Sequence, residues 1–95
     1  MNDSIGHGAD HPRRYRSKPT EVEAVQVTKE NVGLVAAWCE GLVGSRPDVD
    51  EDREYVVVPT INGAANALIG HFVIEGPNDF YPCDPDTFTA RWEAI

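Results

Sequence analysis

The sequence predicts a small α+β domain, its elements in the order β-α-β-β-β-α, with a mostly antiparallel sheet packed against one main helix. Three observations carry that reading. Two β-rich runs, "TEVEAVQVT" and "EYVVVPTINGAANALIGHFVIEG", flank an apolar stripe at helical spacing. Turn dipeptides and tripeptides divide the second run into hairpins. A second helix start, Asp84-Pro85-Asp86, stands near the C-terminus. Ninety-five residues make one unit, because a self-sufficient core takes about 50 to 200 residues. A chain of this length buries roughly 60 to 65% of its unfolded surface, so association into a homo-oligomer is an expected source of added stability.

From the N-terminus, "MNDSIGHGADHPRRYRSKP" is polar and without periodicity and reads as a flexible arm over residues 1–14, with the domain occupying residues 15–95. His7 and His11 have the spacing of helical metal ligands, but Gly6, Gly8 and Pro12 oppose a helix and no further ligand completes a set. No metal and no cofactor are expected. Val22, Ala24, Val25 and Val27 mark a strand whose alternation with Glu21, Glu23 and Gln26 is imperfect, which leaves its inner face open. Thr28 has the side chain of an N-cap, and a helix is expected over residues 29–42. Val32, Val35, Cys39 and Leu42 supply its apolar stripe, with Trp38 read as core rather than as a pocket wall, and Gly41 and Gly44 as its terminators.

"SRPDVDEDRE" is a charged connection. Asp48, Asp50 and Asp52 mimic the start of a calcium loop, but Arg53 stands where glycine is needed and Pro59 where glutamate is needed. Asn62-Gly63 favours a type I′ hairpin turn, and Pro59 places its strand at an edge or a bulge. "GHFVIEG" forms a further strand in which His71 faces solvent or a hydrogen-bond partner. Gly76-Pro77-Asn78-Asp79 turns it back into "DFYP", where Phe80 and Tyr81 point to opposite faces, one ring inward and the other outside or against a partner. In the last helix Asp84 is the N-cap, Pro85 the first helical residue, and Phe88, Trp92 and Ile95 the apolar edge.

Charge and chemistry narrow the function. Arg13, Arg14, Arg16 and Lys18 make the N-terminal lead-in basic, whereas from residue 19 onward only Lys29, Arg46, Arg53 and Arg91 stand against fourteen acidic residues. An acidic body repels phosphate backbones, so direct DNA binding is not expected. The chain has no apolar run of membrane-spanning length and no secretory signal, and its two cysteines suit free thiols in a reducing compartment, so an intracellular protein without membrane contact is expected. Cys83 precedes a helix N-terminus, a setting that lowers a thiol's pKa, but no general base or oxyanion site accompanies it and no catalytic residue is assigned.

"YRSKPTEVEAVQVT" and "GHFVIEGPNDFYPCDPDTFTARWE" resemble a family of small phage and prophage proteins, PGDYG-like, over residues 15–93. Its members open with Tyr-Arg-x-Lys-Pro and close with a Gly-Asp-Tyr-type strand, a glycine turn, an aromatic-Pro-Cys segment and a Phe-containing helix. Gly70-His71-Phe72 departs from that pattern by keeping the aromatic and losing the acid. The resemblance implies a phage-encoded accessory protein of the host cytoplasm and no established catalytic residues. Joined to the absence of a catalytic set, it gives the leading expectation, a non-catalytic binding protein acting in counter-defence. Such a protein would sequester a small anionic nucleotide or mask a host protein. Nucleotide capture needs cations and a stacking ring, which makes Tyr15, Arg16, Lys18, Tyr81, Cys83 and Arg91 the candidate ligand-binding residues. The alternatives are a Cys83-dependent enzyme and a minor virion or assembly protein.

Overall fold

The computed structural model describes residues 11–17 and 20–95. Among the described residues it is an α+β fold with two antiparallel sheets and two helices. The elements are β1 Arg13–Ser17, β2 Thr20–Gln26, α1 Val32–Cys39, β3 Leu42–Ser45, β4 Glu54–Thr60, β5 Gly63–Leu68, β6 Phe72–Glu75, β7 Phe80–Cys83, α2 Pro85–Arg91 and β8 Glu93–Ala94. The strands form a five-stranded sheet in the order β7-β6-β2-β1-β8 and a separate three-stranded sheet in the order β3-β4-β5.

The imperfect alternation of β2 has a simple cause: both faces of the five-stranded sheet are covered. Val22 and Ala24 pack with Phe72, Ile74 and Phe88 under α2. Val25 and Val27, of opposite parity, pack with Val32, Val35, Ala36 and Cys39 of α1 and with Val56, Val58 and Ala67 of the three-stranded sheet. The same double burial makes Phe72, Val73 and Ile74 of β6 consecutive core residues. Two cores therefore lie back to back, with one sheet between them.

The expected helix over residues 29–42 is shorter at both ends. Asn31, not Thr28, is the N-cap. Thr28 and Asn31 brace the turn before it: the Thr28 N–H donates to Asn31 Oδ1 at 2.7 Å, the Asn31 N–H donates to Thr28 Oγ1 at 3.2 Å, and Asn31 Nδ2 donates to the Gln26 carbonyl at 2.9 Å. At the other end Glu40, with φ 62°, takes the left-handed position assigned above to glycine. Gly41 is required for space instead, since a Cβ there would lie 2.0 Å from the Val57 carbonyl oxygen. This close approach turns the chain into β3 and carries Leu42 off the helical stripe, leaving it 71% exposed.

The described residues form eight strands where the expected order β-α-β-β-β-α has four, and three of the eight, β1, β3 and β8, fall where the sequence suggested no strand. β1 begins at Arg13, so the last two residues assigned to the arm are strand; residues 1–10, with His7, lie outside the described residues. β3 is cut from the end of the expected helix. β8 follows α2, which stops at Arg91, so Trp92 is its C-cap and Ile95 lies beyond the helix, 48% exposed. The Asp84 cap is as expected, with its carboxylate accepting from the Thr87 N–H at 3.1 Å.

Turn chemistry also differs. In the Thr60–Gly63 turn only Gly63, at φ 112°, has a positive φ, whereas a type I′ turn needs it at both central residues. Pro59 lies on the central strand of its sheet, not an edge, but β3 pairs with β4 only as far as Leu42 opposite Val57, so no ladder partner is lost. Gly70, at φ 94°, makes the step from β5 to β6, and its N–H donates to the Val27 carbonyl at 2.8 Å.

Candidate functional site

Of the six candidate residues, the fold brings four together. Tyr15 of β1 and Tyr81 and Cys83 of β7 pack on the α2 side of the five-stranded sheet, around the core of Phe72, Ile74 and Phe88. Phe72 and Phe88 stack with ring centroids 3.8 Å apart, and Tyr15 meets Phe88 edge-on at 4.8 Å. Arg91, exposed on α2, is close enough to Tyr81 and Cys83 to act on both electrostatically. Arg16 faces the other side of β1 and forms an ion pair with Glu93 at 3.0 Å. Lys18 lies outside the described residues.

This cluster is a packing arrangement. Burial pushes the phenol of Tyr15 up, with Arg13 opposing. Burial also pushes up Tyr81, against the lowering influence of Arg91. The Cys83 thiol is raised first by burial and then by the Asp84 carboxylate, with Arg91 again opposing. The expected lowering of Cys83 is thus corrected. The Asp84 carboxylate beside the thiol disfavours a thiolate, and the capping hydrogen bonds from Thr87 hold that carboxylate below the ordinary aspartate range. Phe80 and Tyr81 do face opposite sides, but neither ring is left outside: Phe80 meets Trp38 edge-on at 5.0 Å against the first core, and Tyr81 joins the second.

Sequence reasoning missed the open hollows of the surface. One, about 460 Å³, lies between two hairpin tips, where the Ile61 N–H donates to Asp79 Oδ2 at 2.8 Å; among the described residues its wall includes Glu40, Glu75 and Asp79 and no cation. A second, about 370 Å³, places Glu21, Glu23 and Glu75 around Arg14, itself paired with Glu21. A third, about 440 Å³, sets Asp50, Glu51, Asp52 and Glu54 against Lys29 and Arg53. Each holds more acids than bases. None of the five described candidate residues, Tyr15, Arg16, Tyr81, Cys83 and Arg91, lines any of the three. The only hint in the sequence was the surplus of acids itself, because what gathers them is the meeting of hairpins far apart in the chain.

The acidic connection between β3 and β4 is braced by Arg46. Its backbone N–H donates to the Arg53 carbonyl at 2.7 Å, and its Nη2 donates to the Asp52 carbonyl at 3.0 Å. Asp52 takes φ 52° there. Asp48, Asp50 and Glu51 are left exposed on a tied loop. Among the described residues no three His, Cys, Asp or Glu side chains converge as metal ligands would, and no helix is long and apolar enough to cross a membrane. No family model, no curated protein and no solved structure matches the chain.

Proposed function

We propose that the protein acts by binding, without bond-making chemistry, and that it masks a protein partner rather than sequestering a nucleotide. The carrying observation is the charge of its hollows, all three with more carboxylates than cations. A nucleotide phosphate needs Arg or Lys donors in convergent geometry. Here Arg14 and Arg16 are engaged with Glu21 and Glu93, and Arg46 braces its own loop. Tyr15 and Tyr81, the rings suggested for base stacking, are half-buried against Phe88 and its neighbours. A raised Cys83 thiol disfavours the alternative of a cysteine-dependent enzyme.

An acidic surface with a tied loop suits a partner carrying a basic patch, because complementary charge steers encounter and rejects the wrong partner. In the setting that the phage resemblance implies, that partner is a host protein in the host cytoplasm, and masking it is a form of counter-defence. The test is affinity capture from host extract by the wild-type protein and by a triple variant, Asp48→Lys, Asp50→Lys and Glu51→Lys. Capture of a basic protein is expected, weakened by raising salt from about 0.05 to 0.5 M, where the screening length falls below about 5 Å. The triple variant is expected to lose it with its melting temperature unchanged. Equal capture by the variant, or a nucleotide that raises the melting temperature of the wild-type protein, would contradict the proposal.

A further inference from the structure

The three-stranded sheet has one face in the core and one in solvent. Val56, Val58 and Ala67 point inward, fully buried. The pairing register places Leu42, Val57 and Asn66 in one outward row and Gly44, Tyr55 and Leu68 in the next. Neither row contains a charge, although a quarter of the chain is charged and its net charge is −8. The Tyr55 ring lies over Gly44, where a Cβ would come within 2.4 Å of it, and this flattens the outer face at that point.

The edge of the sheet is open as well. β3 is an outermost strand, and its sequence, Leu-Val-Gly-Ser, has no charge and no proline. Leu42 is 71% and Val43 42% exposed. Edge strands present unpaired N–H and C=O groups, and proteins ordinarily guard them with lysine, proline, bulges or a covering element. Among the described residues β3 pairs only with β4. The five-stranded sheet ends differently: its edge strand β7 holds Pro82, and its edge strand β8 is two residues long and carries Glu93.

We infer that β3 is a self-association edge, and that a second copy of this chain pairs with it antiparallel about a two-fold axis to make one continuous six-stranded sheet. Two arguments select a copy of this chain over another occupant. Two particles of charge −8 repel one another over most of their surface, so a contact between copies is favoured where charge is absent, and the outer rows and β3 are such a place. A two-fold contact must also be self-complementary. β3 is preceded by the acidic Glu40 and followed by the basic Arg46, so pairing it antiparallel with itself brings the acidic end of each strand beside the basic end of the other. In the register that sets Glu40 opposite Arg46, Val43 of each copy stands opposite Val43 of the other and Leu42 opposite Gly44, so the outward rows of the two copies join on one face. The contact uses β3 and its flanks and none of Asp48, Asp50 and Glu51, so it stands apart from the partner-masking reading and can fail without it.

Sedimentation equilibrium over about 1 µM to 1 mM tests this inference. The wild-type protein is expected to pass from monomer to dimer within that range, and Leu42→Glu, which sets a carboxylate at the exposed row of each copy, is expected to weaken the dimer at least tenfold. A mixed sample of ¹³C-labelled and unlabelled wild-type copies needs no variant and should show inter-copy contacts of Val43 with Val43 and of Leu42 with Gly44. A wild-type monomer at every concentration, a dimer indifferent to Leu42→Glu, or inter-copy contacts that avoid β3 would overturn it.

Discussion

In the five-stranded sheet, β2 buries Val22 and Ala24 on one face and Val25 and Val27 on the other, whereas β4 in the three-stranded sheet buries Val56 and Val58 and leaves Tyr55, Val57 and Pro59 at the surface. One sheet is an interior wall between two cores. The other is an outer wall of one core. The difference shows which surface a chain of 95 residues leaves open: with β2 and β6 buried on both sides, it is made of the hairpin tips, the tied acidic loop and the uncharged outer sheet.

The interior wall is the place to break this comparison with the largest effect. Phe88→Ala removes a ring that is 2% exposed and stacked on Phe72, and should cost about 3 to 5 kcal/mol in urea unfolding. That is a large share of the roughly 5 to 15 kcal/mol available to a domain of this kind. An effect below about 1 kcal/mol would mean that the second core is not formed as described.

Asp84→Ala should act in the same direction but less strongly, lowering the melting temperature at neutral pH by removing the cap of α2. The capping hydrogen bonds depress the folded-state pKa of Asp84, so the unfolded chain binds the proton more readily. Its contribution is therefore present above the ordinary aspartate range and lost as pH falls through the depressed value. The gap between wild type and variant should close on acidification, and a gap constant with pH would assign it to something other than the ionised cap. The smallest effect belongs to Arg16→Ala. The Arg16 and Glu93 side chains are 54% and 67% exposed, so their ion pair should contribute no more than about 1 kcal/mol, and less in high salt.

The elements that the sequence disclosed are those fixed by neighbours in the chain. The Asp84-Pro85 start of α2, the hairpin through Gly76–Asp79 and the stripe of Val32, Val35 and Cys39 follow from local chemistry. β1, β3 and β8 were hidden because strand pairing, not composition, makes them strands: "RRYRS" has two apolar-free flanks around Tyr15 and becomes β1 through its pairing with β2. Leu42 fits a helical stripe by spacing, yet the contact of Gly41 with Val57 ends the helix before it. The setting of the candidate residues was hidden for a related reason. Tyr15, Tyr81 and Cys83 look available in a linear reading, and their convergence under α2 is a tertiary event that makes them core-lining residues. The acid surplus was legible, but its gathering into hollows between hairpins was not.

Native-state hydrogen exchange, run at a concentration low enough to keep copies apart, tests the contrast between the two sheets most directly. The amides of Ala24, Val25, Val73 and Ile74 should exchange only on global unfolding, and those of Leu42 to Ser45 by local opening at a clearly lower free energy. Amides of β3 as well protected as those of β2 and β6 in isolated molecules would contradict the account.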